Sequence, residues 1–114
     1  MKECLFCRII NGELKAEIIF ENTKIISFKD VNPQAPLHAL IVPKSHIQTL
    51  NHITQDNVNL VGELIFAASK IAKDKGYSES GYRTIFNCNE MGGQTVYHIH
   101  LHLLAGRKLG WPPG

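Results

Sequence analysis

His98-Ile99-His100-Leu101-His102-Leu103-Leu104 carries three histidines at every second position through an otherwise apolar run. Successive side chains of an extended chain point to opposite faces. The alternation therefore predicts a β-strand with His98, His100 and His102 on one face and Ile99, Leu101 and Leu103 entering a core on the other. Strand rise sets neighbouring histidines roughly 6.6 Å apart and the outer pair about 13 Å apart at Cα, so one ion cannot easily take all three. Two histidines at i and i+2 can still share a zinc, and a wet polar sheet face is the plain alternative to a chemical one.

Outward from this strand, the chain reads as short extended segments around one long helix. Leu5, Phe6, Ile9 and Ile10 ahead of Gly12 suggest a short N-terminal helix with a glycine C-cap. Ile18 to Phe20 and Lys24 to Phe28 flank the polar Glu21-Asn22-Thr23 and read as a hairpin. Pro33 and Pro36 make residues 30–36 a loop, and His38 to Val42 is a strand closed by Pro43. Thr54 is the expected N-cap of a helix with Asp56 in its first turn. Val58, Val61, Leu64, Ile65, Ala68, Ile71 and Ala72 form its apolar stripe, and Gly76 ends it. Tyr82 to Cys88 is the remaining strand, with Cys88 in the core, and residues 106–114 form an irregular tail whose Trp111 should cover a surface. The fold class expected is α+β, a five-stranded, largely antiparallel sheet with one long and one short helix, in a single domain over 1–114.

A chain of 114 residues buries enough surface for an ordinary core, and its formal charge of +2, spread over interspersed residues, offers no basic stripe for nucleic acid. No run approaches the ~20 apolar residues of a membrane span. Three cysteines and a polar start at Met1-Lys2-Glu3-Cys4 lead to the expectation of a reduced, cytoplasmic protein.

Gly92-Gly93-Gln94-Thr95 directly precedes the histidine run, and glycines there let backbone N–H groups approach an anion such as phosphate. Neutral imidazole is a competent nucleophile toward phosphorus, and its ordinary pKa of about 6.5 leaves it largely neutral at pH 7. A middle histidine suits attack, and a neighbour on its face suits donation to the phosphoryl oxygens.

These motifs, together with Asp30, Pro33-Gln34-Ala35-Pro36, Pro43-Lys44-Ser45-His46, Tyr82-Arg83, Tyr97 and Trp111-Pro112-Pro113-Gly114, resemble the histidine triad superfamily from end to end. The resemblance is to its branch of histidine triad nucleotide-binding proteins, the purine nucleoside phosphoramidases. It implies a hydrolase of purine nucleoside 5′-phosphoramidates in which His100 becomes covalently nucleotidylated. By the same resemblance His102 contacts the phosphoryl oxygens, His38 lies close to His100, Gln94 and Thr95 sit at the ester and leaving-group oxygens, and Asn87 and Gly93 complete the phosphate site. Asp30 takes the ribose hydroxyls, and Phe6, Ile9, Phe28 and Val31 form the purine slot, although a core role accounts equally well for Phe6 and Ile9.

The branch usually has serine where this chain has Thr95, and threonine there is more familiar from dinucleoside polyphosphate hydrolases. Cleavage of nucleotide anhydrides is therefore the alternative activity, and nucleotide-dependent regulation of a protein partner a third reading. Catalysis of this kind requires no cofactor, but the resemblance also implies a structural zinc on Cys4, Cys7, His46 and His98. Two reduced, half-buried thiols are the plain alternative. Family members pair as homodimers by joining their sheets, with the long helix at the interface and Trp111 reaching toward the partner's site.

Overall fold

Every residue of the strand Leu37–Pro43 is buried, as expected of the middle of a sheet covered on both sides. The computed structural model describes residues 3–114 and places around that strand the order β1-β2-β3-β5-β4, all neighbours antiparallel. The strands are β1 (Ile18–Glu21), β2 (Ile25–Lys29), β3 (Leu37–Pro43), β4 (Tyr82–Phe86) and β5 (Leu101–Ala105). Two α-helices, α1 (Leu5–Ile10) and α2 (Val58–Asp74), complete the α+β fold.

Side-chain alternation divides the interior into two. Leu37, Ala39 and Ile41 of β3 and Leu101, Leu103 and Ala105 of β5 face α2, meeting Leu64, Ala67, Ala68, Ile71 and Ala72. The three alanines bring the helix axis close to the sheet. On the opposite face Ile26, Phe28, Leu40 and Val42 pack under Phe6 of α1. Both helices end in a Schellman motif. Gly12 (φ +78°) and Gly76 (φ +87°) take the left-handed position, with Glu13 N–H to Arg8 C=O at 2.8 Å and Tyr77 N–H to Ala72 C=O at 2.8 Å.

Several boundaries differ from the expectation, each for a local reason. The ladder of β5 begins at Leu101 rather than His98. The β3–β5 register would set Ile99 opposite Pro43, which has no N–H to donate, and Ile99 instead gives its own N–H to Ile47 C=O at 2.7 Å. Helix α2 starts at Val58 behind Asn57. Thr54 opens a separate turn, its N–H bonded to Asn57 Oδ1 at 2.7 Å and its hydroxyl accepting from Asp56 N–H at 3.2 Å. Val58 and Ile65 of the expected stripe are exposed, as is Phe66, because they lie on a face turned away from the Leu64–Ala68–Ile71 seam. Strand β4 ends at Phe86, and Cys88 is half-buried beyond it. There the carbonyl of Gly92 accepts from Asn87 Nδ2 at 2.7 Å, and the Gly92 backbone is folded so tightly on Cys88 that a Cβ would lie 2.4 Å from the Cys88 oxygen. A 3₁₀ turn over Leu50–His52 had no counterpart in the sequence reading. The segment after Ala105 has neither helix nor strand, and Trp111 is 82% exposed on its own subunit. Among the described residues no helix is long and apolar enough to cross a membrane.

Candidate active site

Cross-strand register assembles the site. Phe28, Leu40, His102 and Ile85 are successive partners across β2, β3, β5 and β4, while His38 and Arg83 both flank Leu104 in the next row. His98 and His100, although outside the ladder, keep the alternation and turn to the α1 side. Phe6 meets both edge-on, at ring centroid distances of 5.9 and 5.0 Å. Ile99 is buried with the α2 core.

Hydrogen-bond partners determine which nitrogen of each imidazole holds its proton. His100 Nδ1 lies 2.9 Å from the His98 carbonyl, which only accepts, so Nδ1 is the protonated nitrogen and Nε2 of the neutral ring keeps its lone pair. His38 Nδ1 accepts the Gln34 N–H at 3.0 Å, so the proton of His38 is on Nε2. That N–H donates to His102 Nδ1 at 2.9 Å, with Asp30 Oδ2 at 3.4 Å. His102 accordingly carries its proton on Nε2. The rings of His100 and His102 are 4.9 Å apart, which sets a lone pair and an N–H donor side by side.

Burial keeps these rings neutral. It pushes His102 down to about 4, helped by the His100 and His38 rings and opposed by Asp30. It holds His100 below the usual histidine range despite the His98 carbonyl and Asp30, and it lowers His38 although Asp30 pulls the other way. For His38 the close carboxylate and the downward direction point oppositely. Desolvation is the larger influence, and a neutral ring is also what its bond from Gln34 N–H requires.

A cavity of about 570 Å³ opens in front of His100 and His102. Its walls include Leu5, Phe6, Ile9, Phe28, Leu40 and Val96, together with Asp30, Val31 and Thr95. A flat aromatic heterocycle fits such walls. Asp30 Oδ1 is tied by the Asn32 N–H at 2.9 Å, which aims the carboxylate and leaves Oδ2 able to accept from a diol.

A second group of donors lies behind the first. Cys4 Sγ is 3.3 Å and Cys7 Sγ 3.6 Å from His98 Nδ1. His46 Nδ1 is 3.1 Å from His98 Nδ1 and 3.3 Å from Cys7 Sγ. His98 Nε2 donates to the Pro43 carbonyl at 2.7 Å, so its Nδ1 lone pair faces the thiols. Tetrahedral zinc, with bonds of about 2.3 Å to sulfur and 2.0–2.1 Å to nitrogen, spaces its ligands about 3.3–3.8 Å apart, which these four atoms approach. Asp30, His38 and His102 also lie close together, but there the His38 nitrogen holds a proton and offers no lone pair. Only the cysteine–histidine group among the described residues has converging lone pairs.

Residues 3–110 match the family model described as "Scavenger mRNA decapping enzyme C-term binding". The purine nucleoside phosphoramidase of Escherichia coli K12 is 44% identical over 109 residues, 96% of this chain and 92% of that protein. An uncharacterized HIT-like protein of Synechococcus elongatus is 45% identical over 113 residues, 99% of this chain and 98% of that protein. The crystal structure of a HIT family hydrolase from Legionella pneumophila superposes with a TM-score of 0.96 at 52% identity, covering 98% of this chain and all (100%) of that one. A histidine triad protein from Clostridium difficile gives 0.94 at 42% identity, with 96% of each chain covered. The chain belongs to the histidine triad (HIT) family.

Within this HIT domain the expected residues separate into those brought together and those held apart. His100, His102, Thr95, Asp30, Phe6, Ile9, Phe28 and Val31 share the cavity of about 570 Å³, and Phe6 serves both core and slot. His38 makes its hydrogen bond to His102 rather than to His100. Gln94 is buried with its amide occupied by backbone: Nε2 donates to the carbonyls of Gln48 (2.8 Å) and Val96 (3.1 Å), and Oε1 accepts from Asn89 N–H (2.9 Å). It braces the turn instead of facing the cavity. Gly93 (φ +80°) sits in that turn, and Asn87 lines a different cleft, beyond His102. Leu40 and Val96 were not foreseen as cavity walls; the pairing of Leu40 with both Phe28 and His102 would have required the strand register to find.

The neutral histidines also predict how stability depends on acidity. An unfolded histidine gains its proton near pH 6.5 and folded His102 only near 4, so between these values the unfolded chain binds more protons and stability falls as pH is lowered. The melting temperature should decline from pH 6.5 to pH 4, with a shallower decline in His102→Gln. Equal slopes in the two proteins would contradict the assignment.

Proposed function

We propose that this protein hydrolyses purine nucleoside 5′-phosphoramidates through a covalent nucleotidyl-histidine intermediate on His100. The observation that carries the reading is the free Nε2 lone pair of His100 beside the Nε2–H of His102, on the wall of a largely apolar cavity with room for a purine nucleoside. The E. coli relative named purine nucleoside phosphoramidase supports the substrate class.

In the first step His100 Nε2 bonds to phosphorus as the P–N bond breaks, and the departing nitrogen takes one proton from solvent, to which the second step gives one back, and leaves as a neutral amine. The imidazolium so formed keeps its Nδ1–H on the His98 carbonyl, a fixed dipole that stabilises developing positive charge. His102 Nε2–H donates to a phosphoryl oxygen. Its orientation depends on His38, which depends in turn on the Gln34 N–H. In the second step water attacks phosphorus, the P–Nε2 bond breaks, the nucleoside monophosphate leaves and the proton is returned. Thr95, exposed at the cavity wall, is our candidate to pass that proton, and Asp30 to bind the ribose diol. Splitting one displacement into two gives each a good nucleophile or leaving group.

We assign a structural zinc to Cys4, Cys7, His46 and His98 on the spacing of their donor atoms. Bound there, zinc would tie α1 to the segments carrying His46 and His98 and supply the charge that makes deprotonated thiols favourable. Without it, burial and the adjoining Cys4 push the Cys7 thiol up. The free thiols fit a reducing compartment, the cytoplasm. We further assign a homodimer: β4 is an unpaired sheet edge with Tyr82 38% exposed, and α2 exposes Ile65 (51%) and Phe66 (67%), surface that a second copy would cover.

Incubation with an adenosine 5′-phosphoramidate should release amine with wild-type protein. His100→Ala should lose at least about 10³-fold in kcat, and a brief acid-free quench of the wild type should trap nucleotidylated protein by mass spectrometry. Faster cleavage of a diadenosine polyphosphate, or undiminished turnover by His100→Ala, would overturn the proposal. Metal analysis should find one zinc per chain, and its chelation should lower the melting temperature by more than about 4 °C; a metal-poor protein with an unchanged transition would refute the site. Sedimentation should show a dimer that Phe66→Glu dissociates, and a wild-type monomer would refute the assembly.

A further inference from the structure

We infer that Cys4 and Cys7 form a peroxide-responsive pair, whose oxidation to a disulfide releases the assigned zinc and loosens the purine slot. The inference goes beyond the hydrolytic reading and rests on both the zinc and the nucleotide assignments. Its ground is the position of the two thiols at the opening of α1. Cys4 Sγ accepts the Cys7 N–H at 3.3 Å, both sulfurs reach His98 Nδ1, and the donor atoms of the whole group lie within 4.8 Å of one another. Residues three apart on a helical turn are spaced about as an S–S bond requires. The two sulfurs differ in access. Cys4 is half-buried and borders a cleft of about 380 Å³ with His46, Gln48 and Tyr97, ample for a small peroxide. Cys7 is buried and does not border that cleft.

As metal ligands both sulfurs are thiolates, the form that attacks peroxides. Hydrogen peroxide entering the cleft meets Cys4 first. The Cys4 thiolate bonds to one peroxide oxygen, the O–O bond breaks, and the departing hydroxide takes a proton from solvent to become water, leaving a sulfenic acid. The Cys7 thiolate then attacks the Cys4 sulfur and expels a second hydroxide, which is protonated in the same way. Each thiolate has given up one electron and the peroxide has gained two. The uncharged disulfide leaves a divalent cation only the imidazoles of His46 and His98, and zinc is lost. The consequence reaches the slot through α1, whose six residues include Leu5, Phe6 and Ile9 of the nucleotide cavity wall. Phe6 is edge-on to His98 and His100 at once. Without the metal, α1 is no longer tied to the segments of His46 and His98. Leu5, Thr95 and Val96 border both the cleft and the nucleotide cavity, so a bound purine braces the same wall from its other side. Metal retention and nucleotide binding thus favour one closed position of α1, and linkage makes each strengthen the other.

The test treats reduced, zinc-loaded protein with hydrogen peroxide. It follows zinc with a chromophoric indicator, the mass of tryptic peptide 3–8, which holds both cysteines, and the affinity for adenosine monophosphate by calorimetry. Zinc should appear in step with a peptide two hydrogens lighter, and the dissociation constant of the nucleotide should rise about fivefold or more, returning after treatment with a dithiol and zinc. Saturating nucleotide should slow zinc release by a similar factor. In Cys7→Ser the Cys4 sulfenic acid should accumulate and be trapped by dimedone, while Cys88→Ala should respond as the wild type does. A peptide that stays reduced, or that passes to sulfonate without a disulfide, overturns the pair as an oxidation site. A disulfide formed with unchanged nucleotide affinity overturns its hold on the slot. Reduced protein without zinc refutes the metal assignment, and reduced protein that does not bind the nucleotide refutes the nucleotide assignment. Either result is read before peroxide is added and removes the inference with it.

Discussion

The period-two alternation of β5 between β3 and β4 is the constraint from which the rest follows. Leu101, Leu103 and Ala105 are committed to the α2 core, so His102 and Leu104 have no choice but the other face. A slip of one residue would bury the imidazole under α2 and expose leucines, which makes the register costly to change. The large core therefore positions the chemistry, and the proposed nucleophile lies just beyond the end of the ladder that fixes it.

Pro43 is what makes that position available. A strand that continued to His98 would have spent backbone groups on β3. Because proline cannot donate, the chain at His98 to His100 is released from pairing, and its polar groups serve the imidazoles instead. The Pro43 carbonyl orients His98, and the His98 carbonyl orients His100. His98 thus belongs to the cysteine–histidine group through its ring and to the proposed phosphate site through its backbone. Phe6, edge-on to both rings, closes the same junction from α1.

Protons in this site are assigned by backbone rather than by charge. Gln34 N–H selects the tautomer of His38, which selects that of His102, while a carbonyl selects that of His100. Desolvation keeps every ring neutral, so the pattern persists without a buried ion pair, whose desolvation would be costly. Asp30 is near enough to bias His38 but does not ionise it.

The sequence by itself determined the class of fold, the segments that become strands and the face on which the histidines lie, because hydrophobic periodicity is local and survives in any α+β arrangement. It also carried the family, through motifs that span the chain. Only the tertiary structure decided that Gln94 braces a turn rather than facing the cavity, that His38 acts on His102, that Val58 and Ile65 lie outside the core, and that Leu40 lines the slot. Each of these depends on which backbone groups remain unpaired once the strands are in register. That is a property of contacts between segments as distant as Gln94 and Gln48, or His38 and His102, and no local pattern contains it.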